Sequence, residues 1–329
     1  MNQEDNRNDS AGNMRATDAD IRYAYRLLFD REPDPEGWQG HRRTIAQHPI
    51  SAFDFARLLM ESGEFVQRSA AARALVEVPL DGFSVFVRPE DRDIGREIRE
   101  SGTYEPHVVH QIRALLRPGN VFIDVGANIG FFSQLAAQLV GREGRVVAIE
   151  PLDKNVQLIL RSIDRNRFEH VEVHACAIAD RTGLVSMLTD AATSNGQASA
   201  GVRAATLLAQ TRTLDTVTRD LPRIDVVKID IEGFELAAWR GFSRGLATHR
   251  PHVLTEFHPY CMKRFAGVEP LDYLAELFAY SPHIEVIHPH RDTERCIDAA
   301  AVLGAWEAYD RGEGGQGTSH LDLLVRSRR

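Results

Sequence analysis

From His107 onward two kinds of apolar pattern alternate along the chain. Short apolar runs occur at VFIDV, RVVAIE, VEVHACAI, DVVKIDI, HVLTEF and IEVIH, bounded by turn residues. Helix-period patterns occupy HVVHQIRALL, FFSQLAAQLV, NVQLILRSI, FELAAWRGF and LDYLAELFAY. Strands that read as nearly continuous apolar runs, separated by amphipathic helices, predict an α/β domain with a parallel sheet covered on both faces. A last strand, HLDLLVR, follows a helix around Ala299 to Tyr309 and the glycine-rich turn RGEGGQG.

The N-terminal part has a different rhythm. Thr17 with Asp20, and Ser51 with Asp54, are spaced as capping boxes ahead of Ile21, Tyr25 and Leu28, and of Phe55, Leu58 and Leu59. Asp34 followed by Pro35 is a cap and first-turn pair. Residues 17–70 are therefore expected to form a small all-helical module, after a polar tail at 1–16 expected to be disordered. The acids Asp30, Glu32, Asp34 and Glu36 in DREPDPEG superficially suggest a calcium loop. The glycine falls at the wrong place and two prolines interrupt the ligand spacing, which favours a helix-capping turn. LVEVPLDGFSVFVRP alternates around Asp81 and Gly82 as a hairpin does, and opens a second domain expected over 75–329.

Composition narrows the function more than the fold. A net charge of −8 without a basic block lacks the footprint of a nucleic-acid binder. No stretch has the length of apolar residues that a membrane span needs, and the opening residues lack a signal-peptide core, so the cytoplasm is expected. Three scattered cysteines, Cys176, Cys261 and Cys296, argue against a disulfide framework. His288 and His290 with Cys296 lack recognisable metal spacing, and structural or surface roles are expected for them.

In a doubly wound sheet the ligand sits beyond the carboxyl ends of the strands, where Asp124 to Gly130 of VFIDVGANIGFF falls. Gly126 and Gly130 allow close backbone approach, and Asn128 tolerates a left-handed turn. The spacing departs from both G-x-G-x-x-G and the P-loop. Glu150, ending the next strand, can accept hydrogen bonds from both hydroxyls of a ribose. Strand ends also bring Asp124, Asp180, Asp230, Glu232 and Glu256, an acidic set ill suited to pyrophosphate but suited to a sulfonium and an ammonium.

S-adenosylmethionine carries both cations, and DVGANIG, AIEP, AIADRTG, TLDTV, KIDIEGFE and LTEFH, in this order, resemble the FkbM family of class I S-adenosylmethionine-dependent methyltransferases. The resemblance covers roughly residues 75 to 329. It implies a Rossmann-like doubly wound sheet of seven strands, mostly parallel, with the last strand antiparallel. It further implies that Asp124, Gly126, Ala127, Asn128 and Gly130 surround the methionine moiety and that Glu150 holds the ribose. Cys176, Ala177 and Ile178 would flank adenine, Asp180 would accept from its amino group, and Tyr104 and Glu105 of GTYEP would lie over the mouth. YRLLFDREPDPEGW and LLMESGEF resemble an uncharacterised helical domain of bacterial surface-layer and glycan-assembly proteins, which implies a protein partner for the module.

An alcohol acceptor must lose a proton. Asp230, Glu232, Glu256 and His258 are candidate bases, with Lys228 placed to pair with an acid. Glu232 could instead cap a helix, His258 could be a loop residue satisfied by backbone, and converging carboxylates could bind Mg²⁺. His107 and His110 are a weaker acceptor-side pair. The expected activity is O-methylation of a hydroxyl on a glycan or glycosylated metabolite. A non-catalytic S-adenosylmethionine-binding scaffold and an NAD-dependent sugar oxidoreductase are the alternatives. Acceptor choice is expected in TDAATSNGQASAGVRAAT, read as a mobile loop.

Overall fold

The structure, a computed structural model, describes residues 15–29, 31–68, 75–189, 194–199 and 207–327. Two compact units divide it, Met1–Leu75 and Val76–Arg329.

The first unit holds four helices, α1 (Asp18–Phe29), α2 (Pro35–Gln47), α3 (Ala52–Met60) and α4 (Gly63–Arg68). Their ends are set by side chains. The Thr17 amide donates to Asp20 Oδ2 at 2.7 Å, and Ser51 Oγ accepts from the Asp54 amide at 3.0 Å. In the acidic turn, Asp34 caps α2 by accepting from the Gly37 amide at 2.7 Å, Arg31 pairs with Glu64 and Arg26 with Glu32. These acids cap and pair; Asp30 lies outside the described residues. Ile21, Tyr25, Phe29, Phe55 and Leu59 form the buried interior. Of the expected tail, residues 1–14 lie outside the described residues, while Ala16 is buried and its amide donates to the Ile50 carbonyl at 2.8 Å.

The second unit opens with the hairpin β1 (Val76–Pro79) and β2 (Ser84–Val87), then α5 (Ile94–Ser101) and α6 (Pro106–Leu115). The alternation follows: β3 (Val121–Val125), α7 (Phe131–Val140), β4 (Arg145–Ile149), α8 (Asp153–Asn166) and β5 (Val171–His174). Next come four strands, β6 (Ala177–Ile178), β7 (Gly183–Thr189), β8 (Gly196–Ser199) and β9 (Leu207–Arg212), before α9 (Leu214–Val217). The remainder is β10 (Val226–Ile229), α10 (Glu235–Arg240), α11 (Ser243–His249), β11 (His252–Phe257), α12 (Pro259–Cys261), a π-helical turn at Met262–Ala266, α13 (Pro270–Tyr280), β12 (Ile284–Ile287), β13 (Glu294–Cys296), α14 (Ala299–Gly312) and β14 (Leu321–Val325).

The main sheet has the order β13-β12-β14-β11-β10-β3-β4-β5, with β14 antiparallel to both its neighbours. Eight strands replace the seven expected. The addition, β13, is a three-residue edge strand of sequence ERC, too short to show an alternation. A second departure is the four-stranded sheet β6-β9-β7-β8, of which β8 and the last residue of β7 fall in the stretch read as loop. It splits VEVHACAI, whose first half stays in the main sheet and whose second half leaves it. Residues 190–193 and 200–206 of the expected acceptor loop lie outside the described residues.

On one face of the main sheet Ile123, Val227 and Ile229 pack with Leu236, Trp239, Tyr273 and Val302. By the two-residue period of a strand, Phe122 and Asp124 turn to the other face, where Ser133 of α7 meets Asp124.

Candidate active site

The chain order reverses between β3 and β10, and at the carboxyl ends of those strands opens a cavity of about 780 Å³. Such a reversal splays the flanking connections to opposite faces and leaves a crevice.

The turn after β3 forms one wall. Gly126 has φ +84°, and a Cβ built there would lie 1.9 Å from the Asp230 carbonyl oxygen, so the DVG turn and the end of β10 touch through bare backbone. The Gly126 and Ala127 amides both donate to the Ile149 carbonyl at 3.0 Å, and Asn128 takes a left-handed φ of 50°. Glu150 lies behind this turn. Its Oε2 accepts from the Asn128 amide at 2.9 Å, and its Oε1 from the Leu152 amide at 3.0 Å and Asn155 Nδ2 at 3.2 Å. Burial nevertheless pushes its pKa up to about 7, against these donors.

Two residues expected at the methionine end do not line the cavity. Asp124 is fully buried, with Oδ2 accepting from Ser133 Oγ at 2.6 Å. Its registered neighbour Lys228 does reach the cavity, because a lysine stem spans the distance that an aspartate does not. Gly130 packs on Ile159 as the residue before α7. Gly126, Ala127, Asn128 and Glu150 all line the space.

Cys176, Ala177, Ile178 and Asp180 form a second wall. Cys176 belongs to both core and wall, and burial pushes its thiol up to about 11. Opposite them the acids converge. Lys228 Nζ lies 2.7 Å from Asp230 Oδ2 and 4.7 Å from the centroid of the Phe132 ring. Burial alone would lower the lysine pKa; Asp230, Asp124 and Glu105 raise it instead. Glu105 has φ 42°, a left-handed conformation for a non-glycine, and its carboxyl is raised well above the usual range by burial and then by Asp322 and Asp230. Tyr104 stands edge-on to Phe131, with centroids 6.2 Å apart.

On the remaining side Glu256 is raised well above the usual range by burial and then by Glu232 and Asp230. Glu232, at φ 55°, is raised by burial and by Asp230. Burial and then His320 push His258 down to about 4, so its imidazole is neutral near pH 7. The sequence reading missed His320, Phe132, and Leu184, Val185 and Met187 of β7, which also line the cavity. Only the alternation in GLVSMLT could have signalled that wall.

His107 does not line the cavity; its Nε2 lies 2.9 Å from Asp322 Oδ2. His288 is 3.6 Å from Glu294 Oε2 and forms no metal-spaced group with His290 and Cys296. Among the described residues the group with such spacing is Glu232, His258 and Cys261, not the converging carboxylates given above as an alternative site for Mg²⁺.

Glu105 Oε2, Asn128 Oδ1 and Glu256 Oε2 are buried around this cavity without a hydrogen-bond partner among the described residues. Acceptor atoms left open in an acidic crevice fit a ligand bearing an ammonium and a sulfonium, and oppose one bearing a pyrophosphate. The fold and its cavity fit the class I S-adenosylmethionine-dependent methyltransferases. Residues 124–287 match the family model of the methyltransferase FkbM domain, and the second unit carries that domain.

The chain is also similar to the ribosomal RNA large subunit methyltransferase E of Acidithiobacillus ferrooxidans, at 43% identity over 54 residues, 16% of this chain and 25% of that protein. It thus spans about a quarter of the length of the curated relatives it matches. Among solved structures it is similar to a methyltransferase FkbM from Methylobacillus flagellatus (19% identity, TM-score 0.39, 66% of this chain and 50% of that one). Another is an O-methyltransferase from Bacillus cereus in complex with SAH (13%, TM-score 0.37, 80% and 89%).

Proposed function

We propose that this protein transfers the methyl group of S-adenosylmethionine to a hydroxyl of a glycan, either a surface polysaccharide or its precursor, or of a glycosylated metabolite. The observation that carries the reading is the division of the cavity: a ribose-type carboxylate, Glu150, on one side and the Lys228–Asp230 pair with Glu232 and His258 on the other. The bound donor supplies a methyl group on a sulfonium, open to in-line displacement by an oxygen. Glu150 holds the two ribose hydroxyls, and Asn128 and Glu105 offer acceptors to the ammonium. Asp230, whose position Lys228 fixes, faces both donor and acceptor and takes the hydroxyl proton. Glu232 and His258 orient the acceptor. Expulsion of water by Phe131, Phe132 and Tyr104 keeps the transferred group from hydrolysis.

The glycan class rests on the FkbM resemblance and on the likeness of the N-terminal helices to modules of glycan-assembly proteins. A relative named for ribosomal RNA supports a different acceptor, but its match covers only 16% of this chain, whose net charge is −8. The test is transfer of labelled methyl from S-adenosylmethionine to surface-glycan fractions, lipid-linked precursors and ribosomal RNA in parallel. Label in a glycan fraction, falling roughly 100-fold or more in kcat for Asp230→Asn, supports the reading. Label in RNA alone, or in no glycan fraction, rejects it.

A further inference from the structure

We infer that Glu232, His258 and Cys261 form a binding site for a borderline-soft divalent cation, Zn²⁺ being the best fit, at the acceptor side of the cavity. This deepens the proposed function and rests on it for the role of the ion, not for the site itself.

The ligand atoms of the three side chains, one oxygen, one nitrogen and one sulfur, all lie within 4.8 Å of one another. Tetrahedral Zn²⁺ with bonds of about 2.0 to 2.3 Å sets its ligands roughly 3.4 to 3.6 Å apart. Closing from the observed spacing therefore needs side-chain movements of about 1 Å, and Cys261 Sγ is already 3.7 Å from Glu232 Oε2.

Backbone holds the three together from two separate elements. His258 and Cys261 stand three residues apart across the single turn of α12, closed by the Met262 amide donating to the His258 carbonyl at 3.0 Å. Glu232 comes from the turn after β10 in a left-handed conformation, φ 55°, which is strained for a residue other than glycine. Gly233 follows at φ +101°, and a Cβ there would lie 2.5 Å from the Cys261 carbonyl carbon. The turn is locked from below by Glu235 Oε1, which accepts from the Ile231 and Gly233 amides at 3.0 and 3.1 Å. Strain of this kind persists where surrounding structure over-determines it.

An independent observation points to a ligand. His258 is buried, and its Nδ1 has no hydrogen-bond partner among the described residues. A buried imidazole nitrogen left open costs stability that a metal bond would offset.

The donor set excludes the hard cations. Mg²⁺ demands an octahedron of oxygens, whereas a thiolate and an imidazole select Zn²⁺ and its borderline neighbours. Three protein ligands leave one coordination position open, as catalytic zinc sites do. Glu232 and His258 line the cavity and Cys261 does not, so the open position faces the acceptor. On binding, Cys261 releases its thiol proton to solvent. A hydroxyl at the open position becomes more acidic; its proton passes to Asp230, its oxygen bonds to the methyl carbon, and the C–S bonding pair stays on sulfur.

The experiment uses the full-length protein, stripped with chelator and dialysed, titrated with Zn²⁺ in competition with a chromophoric chelator, and separately with Co²⁺ followed by absorption. S-adenosylhomocysteine binding is measured on every sample. One equivalent of Zn²⁺, undisturbed by excess Mg²⁺, and a thiolate-to-cobalt charge-transfer band are expected. Cys261→Ser should abolish the band and, like His258→Gln, weaken Zn²⁺ by roughly 100-fold or more. Cys296→Ser, on β13, should do neither. Retained S-adenosylhomocysteine binding shows that a variant is folded. Absence of stoichiometric Zn²⁺, or binding that survives Cys261→Ser, overturns the site while leaving the methyltransferase reading intact. Zn²⁺ binding without S-adenosylhomocysteine binding would sink that reading and keep the site.

Discussion

Glu150 links the electrostatics of the cavity to its ligand. In the ligand-free protein its carboxyl titrates at about 7 because burial disfavours the charge. Between the unfolded value of 4.5 and about 7 the folded protein therefore holds a proton that the unfolded chain has lost, and this group's contribution to stability falls as pH rises through that window. Ribose hydroxyls donate to the ionised form, so binding of S-adenosylhomocysteine should release a proton near pH 6. Its affinity should rise from pH 5 to 7 and level off above. Calorimetry at pH 6 in two buffers of different ionisation enthalpy checks the release, and Glu150→Ala should weaken binding roughly 100-fold, the loss of two hydrogen bonds to a charged group. Gly126→Ala makes a different prediction. Its methyl group would collide with the Asp230 carbonyl, so a loss of at least about 2 kcal/mol is expected in urea unfolding. Glu150 and Asn128 were legible in the sequence because a strand-end acid and an asparagine at a glycine turn have few other uses. Asp124 was not: whether a side chain stops short of a cavity depends on its length against its neighbour Lys228, which spacing does not reveal.

At the scale of elements, apolar pattern carried seven of the main sheet's eight strands and the helices between them, since most of these strands bury nearly all their side chains. It failed at β13, whose Glu-Arg-Cys has no apolar run, and at β7 and β9, where Leu184 and Leu208 remain exposed. A strand stabilised by its partner's backbone more than by burial leaves little trace in hydrophobic pattern. Caps were legible for the opposite reason, because they are purely local. Asp34→Ala should remove the bond to the Gly37 amide and destabilise the helical unit by about 1 kcal/mol, read by the urea midpoint of its helical signal.

For the whole molecule, every residue lining the cavity lies between Ile94 and His320. A protein beginning at Val76 is therefore expected to bind S-adenosylhomocysteine with the same Kd as the full chain within about twofold, measured by calorimetry. If the helical unit recruits a protein partner, as its resemblance implies, its removal should lower methylation of the cellular glycan and spare transfer to a soluble acceptor. No described helix is long and apolar enough to cross a membrane.

The position of β14 has a consequence for how such a chain is made. It follows β11 and β12 in sequence, yet it sits between them, so the β12-β13 pair stays apart from the other strands until it arrives. During synthesis β11, which ends at Phe257, must wait for the strand that begins only at Leu321. Until then two unpaired edges are open to other nascent chains, which makes a chaperone's shelter most valuable over that interval.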